Sequence, residues 1–313
     1  MRLTISTFRV TAQLAALFVA FVAVPQARGQ STRPEATQPA AASAHGLRVF
    51  TAGHSFHVPI IGPLAQIAAA GGFGDHAVAG RQMIGGSSVT QHWALPPDKN
   101  LAKQALTAGR ADVLTLSPFL PLPDTAIDRY ADLMLAHNPA GRVTVQASWV
   151  PQDGLLIGRF ANAQRDTADL KAVAAFGTAY ANQLREQIDG LNARYVPQVG
   201  HQAVYLVPVG DAVVRLRERV AGGKVAGIAK QSDLFRDDYG HGREPVYVLA
   251  AYCHYAVIYG RNPIGLSVPD ALAKTQGLSK GDAAAVNRVL QEVAWEAVTA
   301  EPASGVTVAN AAK

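Results

Sequence analysis

The sequence holds one cysteine, Cys253, among 313 residues, so no intrachain disulfide can form. Its setting, Ala-Ala-Tyr-Cys-His-Tyr, is an apolar helical pattern that suits a buried packing residue. Charged residues are also scarce, at 16%. The formal net charge of +5 includes Arg2, Arg9 and Arg28, which lie in a stretch without acids; removing those three charges leaves +2. No basic run with interleaved aromatics occurs, which argues against a nucleic-acid partner. Beyond the N-terminus there is no long apolar run, and hence neither a membrane span nor the long apolar lid of a lipid-active hydrolase. The stretch Gly71-Gly-Phe-Gly74 lacks the Lys-Ser/Thr of a phosphate loop and reads as a helix stop.

What is present begins with the N-terminus. Arg2 and Arg9 precede the apolar run Leu14 to Val24, and Ala27-Arg-Gly29 offers small residues before Gln30. That is the pattern of a cleaved secretory signal over residues 1–29, which implies export to the periplasm or beyond. The run is shorter than the ~20 residues a spanning helix needs, and no cysteine follows it for a lipid anchor. No stable membrane span is expected after cleavage. Residues 30–46, rich in Ser, Thr, Pro, Ala and Gln, read as a disordered spacer.

From Arg48 onward strand and helix patterns alternate. Strands are expected at 48–52, 75–78, 113–117, 143–148 and 204–208. Helices are expected at 57–70, 100–108, 125–137, 161–190 (capped near Asp166 or Thr167), 211–220, 244–259 and 280–299. A polar loop covers 231–243, the domain spans 47–302, and 303–313 forms a flexible tail. This order predicts one α/β domain, doubly wound in three layers around a mainly parallel sheet, with function at the carboxyl ends of the strands.

The first strand delivers Gly53-His-Ser55 to a turn before a helix, a place where a serine hydroxyl is exposed among free amides. A serine there needs a base within hydrogen-bond reach. Far downstream, Asp238-Tyr-Gly-His241 offers an imidazole to take the proton and a carboxylate to orient it. Asp237 is adjacent to Asp238 and open to the same role. The glycines of Ile84-Gly-Gly-Ser-Ser88 let a backbone approach a reacting oxygen, so the N–H groups of Ser55 and Gly86 are candidate oxyanion donors.

With these blocks in this order, the chain resembles the SGNH/GDSL hydrolase superfamily over about residues 47–266. Gly53-His-Ser55 matches the first block, with His54 where aspartate is commonest; Ile84-Gly-Gly-Ser87 matches the glycine block; Asp238-Tyr-Gly-His241 matches Asp-x-x-His. The resemblance implies a flavodoxin-like fold and ester hydrolysis through an acyl-serine, with Ser55, His241 and Asp238 catalytic and with neither metal nor organic cofactor. It selects Asp238 over Asp237 by spacing. One block departs: Gly-x-Asn is expected after the third strand, but Asp112-Val-Leu-Thr-Leu116 leads to Ser117-Pro-Phe119. Loss of one oxyanion donor costs ~10²–10³ in rate, so Ser117, another loop donor or a water must substitute, or the enzyme is slow.

Plainer readings stand beside these. Ser55 suits a helix cap, and His241 suits an exposed loop. His54, His57 and His92, with Asp75 or His76, have the residue types of a metal site but not its spacing. His54, Ser87, Gln91, His92 and Ser117 are candidate substrate-binding residues. Gln91 and Trp93 beside an imidazole would suit a sugar face, which points to acylated carbohydrates, although Trp93 equally suits packing. His254 and the stripe Tyr252, Tyr255 and Tyr259 read as core. The alternative from another class is a non-catalytic ligand-binding protein that keeps the fold.

Overall fold

A computed structural model describes residues 45–155 and 158–309. The expected signal and nearly all of the spacer, residues 1–44, lie outside the described residues, as do 310–313 of the expected tail.

Five short strands form the sheet: β1 (Arg48–Gly53), β2 (Ala77–Met83), β3 (Val113–Leu116), β4 (Arg142–Gln146) and β5 (Val204–Val207). All pair in parallel, in the order β2-β1-β3-β4-β5. Parallel neighbours require crossovers, and here helices supply them on both faces. The central strands are buried along their length because both faces are covered: Val113, Leu114 and Leu116 of β3 have no exposed surface. This is the doubly wound, flavodoxin-like order expected above.

The helices are α1 (Ile61–Ala70), α2 (Val89–Trp93), α3 (Leu101–Thr107), α4 (Ala126–His137), α5 (Leu170–Val199), α6 (Val209–Ala221), α7 (Glu244–Tyr259), α8 (Asp270–Ala273) and α9 (Lys280–Ala300). One core joins α1, α6, α7 and α9 on one face of the sheet; a second joins α3, α4 and α5 on the other. Helix α7 is apolar all round and wholly buried after its first residue, with Cys253, His254 and the three tyrosines inside it. Proline at its start and left-handed Gly260 past its end set its limits. Among the described residues no helix is long and apolar enough to cross a membrane.

Three boundaries differ from expectation in ways that bear on the site. The helix expected from His57 starts at Ile61, behind a 3-10 turn at Val58–Ile60. The His54 carbonyl accepts from the His57 and Val58 amides, so Ser55 sits inside a tight turn. The long helix runs from Leu170, capped by Asp169, rather than from Ala161. Residues 162–167 form a 3-10 segment instead, because their side chains bond the 232–238 loop: Asp166 accepts from Ser232 N–H and Oγ–H, and Asn162 donates to the Ser232 and Phe235 carbonyls. Finally, the expected tail does not begin at 303, since Ala303, Ser304 and Val306 are buried and Ser304 Oγ donates to the Val298 carbonyl.

Candidate active site

Four loops leave the carboxyl ends of β1 to β4 and meet a fifth, residues 235–243, that precedes α7. The turn after β1 brings Ser55 half-buried to the surface. Ser55 Oγ lies 2.9 Å from His241 Nε2, although 186 positions separate the two. On the far side of the ring, His241 Nδ1 lies 2.7 Å from Asp237 Oδ2. A carboxylate accepts only, so Nδ1 carries the proton and Nε2 is free to accept from Ser55 Oγ–H.

The carboxylate on the His241 ring is therefore Asp237, not Asp238. Asp237 Oδ1 also accepts from the Gly240 and His241 amides, closing a turn that folds the carboxylate back under the imidazole four residues on. Gly240 makes that turn possible: its φ is +105°, and a Cβ would stand 2.8 Å from Arg165 Nη2. Asp238 is exposed and accepts from the Asn162 amide instead. Burial pushes the Asp237 carboxyl up, but the His241 and Gly240 amides and the imidazole outweigh it and hold the group below the usual carboxylate range.

The 235–243 loop is held from outside as well. Trp149 Nε1 donates to the Gly240 carbonyl at 2.9 Å, the Gln152 amide donates to Tyr239 O at 2.9 Å, and buried Arg165 donates to the Asp237 and Asp238 carbonyls. Phe56 stacks on Trp149 at 4.5 Å and meets the His241 ring edge-on at 5.3 Å. Rigid support of this kind keeps a base in register with its serine.

The glycine turn after β2 lines the same cavity as Ser55. Gly86 has φ +59°, a left-handed conformation that glycine adopts without strain. The turn is locked by hydrogen bonds whose directions are fixed. Gln82 Oε1 accepts from the Ala102 amide, so Gln82 Nε2 donates to His92 Nδ1 at 2.9 Å. His92 Nε2–H then donates to Ser87 Oγ at 2.8 Å, and Ser87 Oγ–H donates to Ile84 O at 3.0 Å. Burial pushes the His92 pKa down to about 4, which keeps the ring neutral. The Ser55 and Gly86 amides have no hydrogen-bond partner among the described residues.

Ser55 and Gly86 open onto a cavity of about 210 Å³. Its walls are largely rings, from Phe56, Phe119, Trp149, Phe176, Tyr180 and Tyr239. Of the five candidate substrate-binding residues only His54 lines it. Ser87 and His92 are buried in the turn lock, Gln91 closes a capping box with Ser88, and Ser117 is fully buried behind the wall. Trp93 packs edge-on against Tyr130 under Lys103, so the sugar face expected at Gln91 and Trp93 is not formed. The histidines weighed as metal ligands point to separate partners, and among the described residues no three His, Cys, Asp or Glu side chains gather around a point that could hold a metal.

Missed from the sequence were Asp237 as the acid on His241, Ser148 and Trp149 on the cavity wall, and Arg165 behind the loop. Asp237 was legible as a neighbour of Asp238; the others carried no motif.

No protein-family model matches the sequence, and no curated protein matches it. Among solved structures, the chain is similar to a DUF4886 family protein from Bacteroides uniformis, at 13% identity over 81% of this chain and 95% of that one, with a TM-score of 0.49. It is also similar to a protein from Slackia heliotrinireducens provisionally described as an SGNH hydrolase, at 17% identity over 67% of this chain and 97% of that one, with a TM-score of 0.36.

Proposed function

We propose that the protein is an exported serine hydrolase that cleaves carboxylic esters through an acyl-serine intermediate. The observation that carries this reading is the unbroken chain Ser55 Oγ, His241 Nε2, His241 Nδ1, Asp237 Oδ2, with links of 2.9 and 2.7 Å, opening on a cavity beside two unpaired amides. His241 takes the Ser55 proton as Oγ attacks the ester carbonyl, and Asp237 stabilises the imidazolium that forms. The Ser55 and Gly86 amides donate to the oxygen that becomes anionic. Collapse of the tetrahedral intermediate passes the proton from His241 to the departing alcohol oxygen. Water then attacks the acyl-serine by the same path and releases the acid.

The ring-lined cavity supports an ester whose group nearest the carbonyl is apolar. Export rests on the residue pattern of the N-terminus. A fluorophosphonate probe tests the chemistry: the expected outcome is one adduct, mapped by mass spectrometry to Ser55 and lost in Ser55→Ala. A folded wild-type protein that takes no adduct sinks the hydrolase reading and leaves the cavity as a ligand-binding pocket. Across a panel of p-nitrophenyl and acetyl-sugar esters, kcat/KM should favour apolar acyl groups.

A further inference from the structure

The sequence pattern left the oxyanion site short of a side-chain donor after β3, and Ser117 does not fill the gap because it is buried behind the cavity wall. Another hydroxyl is better placed. Ser148, two residues past the end of β4, lines the same cavity as Ser55 and Gly86. Of the two hydrogen bonds at its oxygen, the one from Gln146 has a direction fixed by a carbonyl, and the one shared with Ser117 is assigned from the groups around Ser117.

One chain is fixed at the Phe56 carbonyl. A carbonyl accepts, so the Gln146 atom 3.0 Å from it is the amide nitrogen, and the same Nε2 donates to Ser148 Oγ at 2.7 Å. Gln146 Oε1 therefore faces His254 Nε2, at 2.9 Å, and that nitrogen carries the ring proton. His254 is fully buried, and burial pushes its pKa down to about 3, so the ring is neutral and Nδ1 accepts. It accepts from the Thr115 hydroxyl at 3.4 Å, and Thr115 Oγ1 accepts from His57 Nε2–H at 2.9 Å. The bonds from His254 through Gln146 to Ser148 therefore run the same way.

A second chain starts at the Phe56 amide, which donates to His54 Nδ1 at 3.2 Å. Burial pushes the His54 pKa down to about 4, so the neutral ring holds its proton on Nε2. The ring N–H is shared between the Pro118 carbonyl and Ser117 Oγ, 3.1 Å from Nε2, and the buried Ser117 hydroxyl, with Ser148 Oγ 3.0 Å away, donates there.

Two donors thus arrive at Ser148 Oγ and fill its acceptor sites. With buried Ser117 as the donor of the 3.0 Å bond between the two hydroxyls, the Ser148 proton is left for an occupant of the cavity. We propose that Ser148 Oγ–H is the third donor to the oxyanion formed at Ser55, replacing the side-chain amide absent after β3. The proposal rests on the serine-hydrolase reading above. A hydroxyl whose oxygen accepts two hydrogen bonds is polarised toward donation. Because both chains are anchored in the buried layer, the donor is oriented before charge develops, which is where oxyanion stabilisation has its largest effect.

The test pairs Ser148→Ala with two ketone inhibitors of the same apolar skeleton. A trifluoromethyl ketone accepts Ser55 Oγ at its carbonyl carbon while the Ser55 proton passes to His241, which leaves a negative charge on the ketone oxygen; the methyl ketone binds without reacting. Expected for Ser148→Ala is a fall in kcat of about 10²–10³-fold with KM little changed, and a matching loss of affinity for the trifluoromethyl ketone alone. Equal losses for both ketones mean a binding or packing role and overturn the proposal, as does unchanged kcat. If Ser148→Ala does not fold, Ser148→Thr keeps the hydroxyl and Ser148→Cys keeps the volume with a weak donor; Thr should retain the trifluoromethyl-ketone preference and Cys should lose most of it. Wild-type protein that takes no fluorophosphonate sinks this proposal together with the hydrolase reading. Labelled wild type with an indifferent Ser148→Ala sinks the Ser148 donor alone.

Discussion

Five of the nine histidines occupy two neighbouring regions of this molecule and do different work in each. His241 stands half-buried on the 235–243 loop with a carboxylate on one nitrogen and a serine hydroxyl on the other. His54, His57, His92 and His254 lie in the buried layer beneath the loops, at 0–3% exposure, and their side-chain hydrogen bonds among the described residues go to neutral groups. A carboxylate behind an imidazole stabilises the protonated ring, so that ring can take a proton and return it. Without the carboxylate, burial disfavours the charge, and the ring becomes a fixed pair of one donor and one acceptor. Such rings orient hydroxyls; they do not shuttle protons. The two regions meet at Phe56, whose ring packs on His241 while its carbonyl and amide anchor both chains that reach Ser148.

Substitutions on the loop side should give the largest effects. Ser55→Ala and His241→Ala are each expected to lower kcat by about 10⁶-fold, with melting temperatures close to wild type, because both side chains are half-buried and outside the two cores. Steady-state hydrolysis of an apolar p-nitrophenyl ester measures this, and turnover of His241→Ala near wild type refutes the base assignment. Next comes the choice between adjacent acids. Asp237→Asn should lower kcat by about 10⁴-fold, since an amide can donate to Nδ1 and fix the wrong tautomer. Asp238→Asn should stay near wild type. The reverse ranking returns the acid role to the spacing that the sequence pattern selects.

Much of the fold was legible because its signals are local and repeated. Buried strands read as short apolar runs, and α7 was placed at its observed limits by a proline at one end and a glycine at the other. Ser55, His241 and Gly86 were legible as motif residues in order. The acid was misread by one position because the spacing of a motif says nothing about a turn closed by Gly240 at φ +105°. Ser148 was not legible at all. Its role depends on hydrogen bonds from residues 31 positions away at Ser117 and two away at Gln146, whose own orientation is fixed by Phe56. Asn162 and Asp166 misled the helix boundary for the same reason: their partners lie about 70 residues downstream.

The smallest effect separates the regions by pH. Burial lowers the folded pKa of His54 and His92 to about 4 and of His254 to about 3, from an ordinary value of 6.5. Between these limits the unfolded chain binds more protons than the folded one, so stability is complete above pH 6.5 and is lost as pH falls toward the folded values. Each ring costs about 1.4 kcal/mol per pH unit inside that window, and His57 and His76, whose pKa values burial also lowers, act in the same direction. Urea unfolding at intervals from pH 7 to 5, above the usual carboxylate range, measures the slope. His92→Gln removes one titrating ring and should reduce the slope by one proton while weakening the hold on the Gly86 turn. A stability independent of pH across this interval would mean that the buried rings are not held neutral.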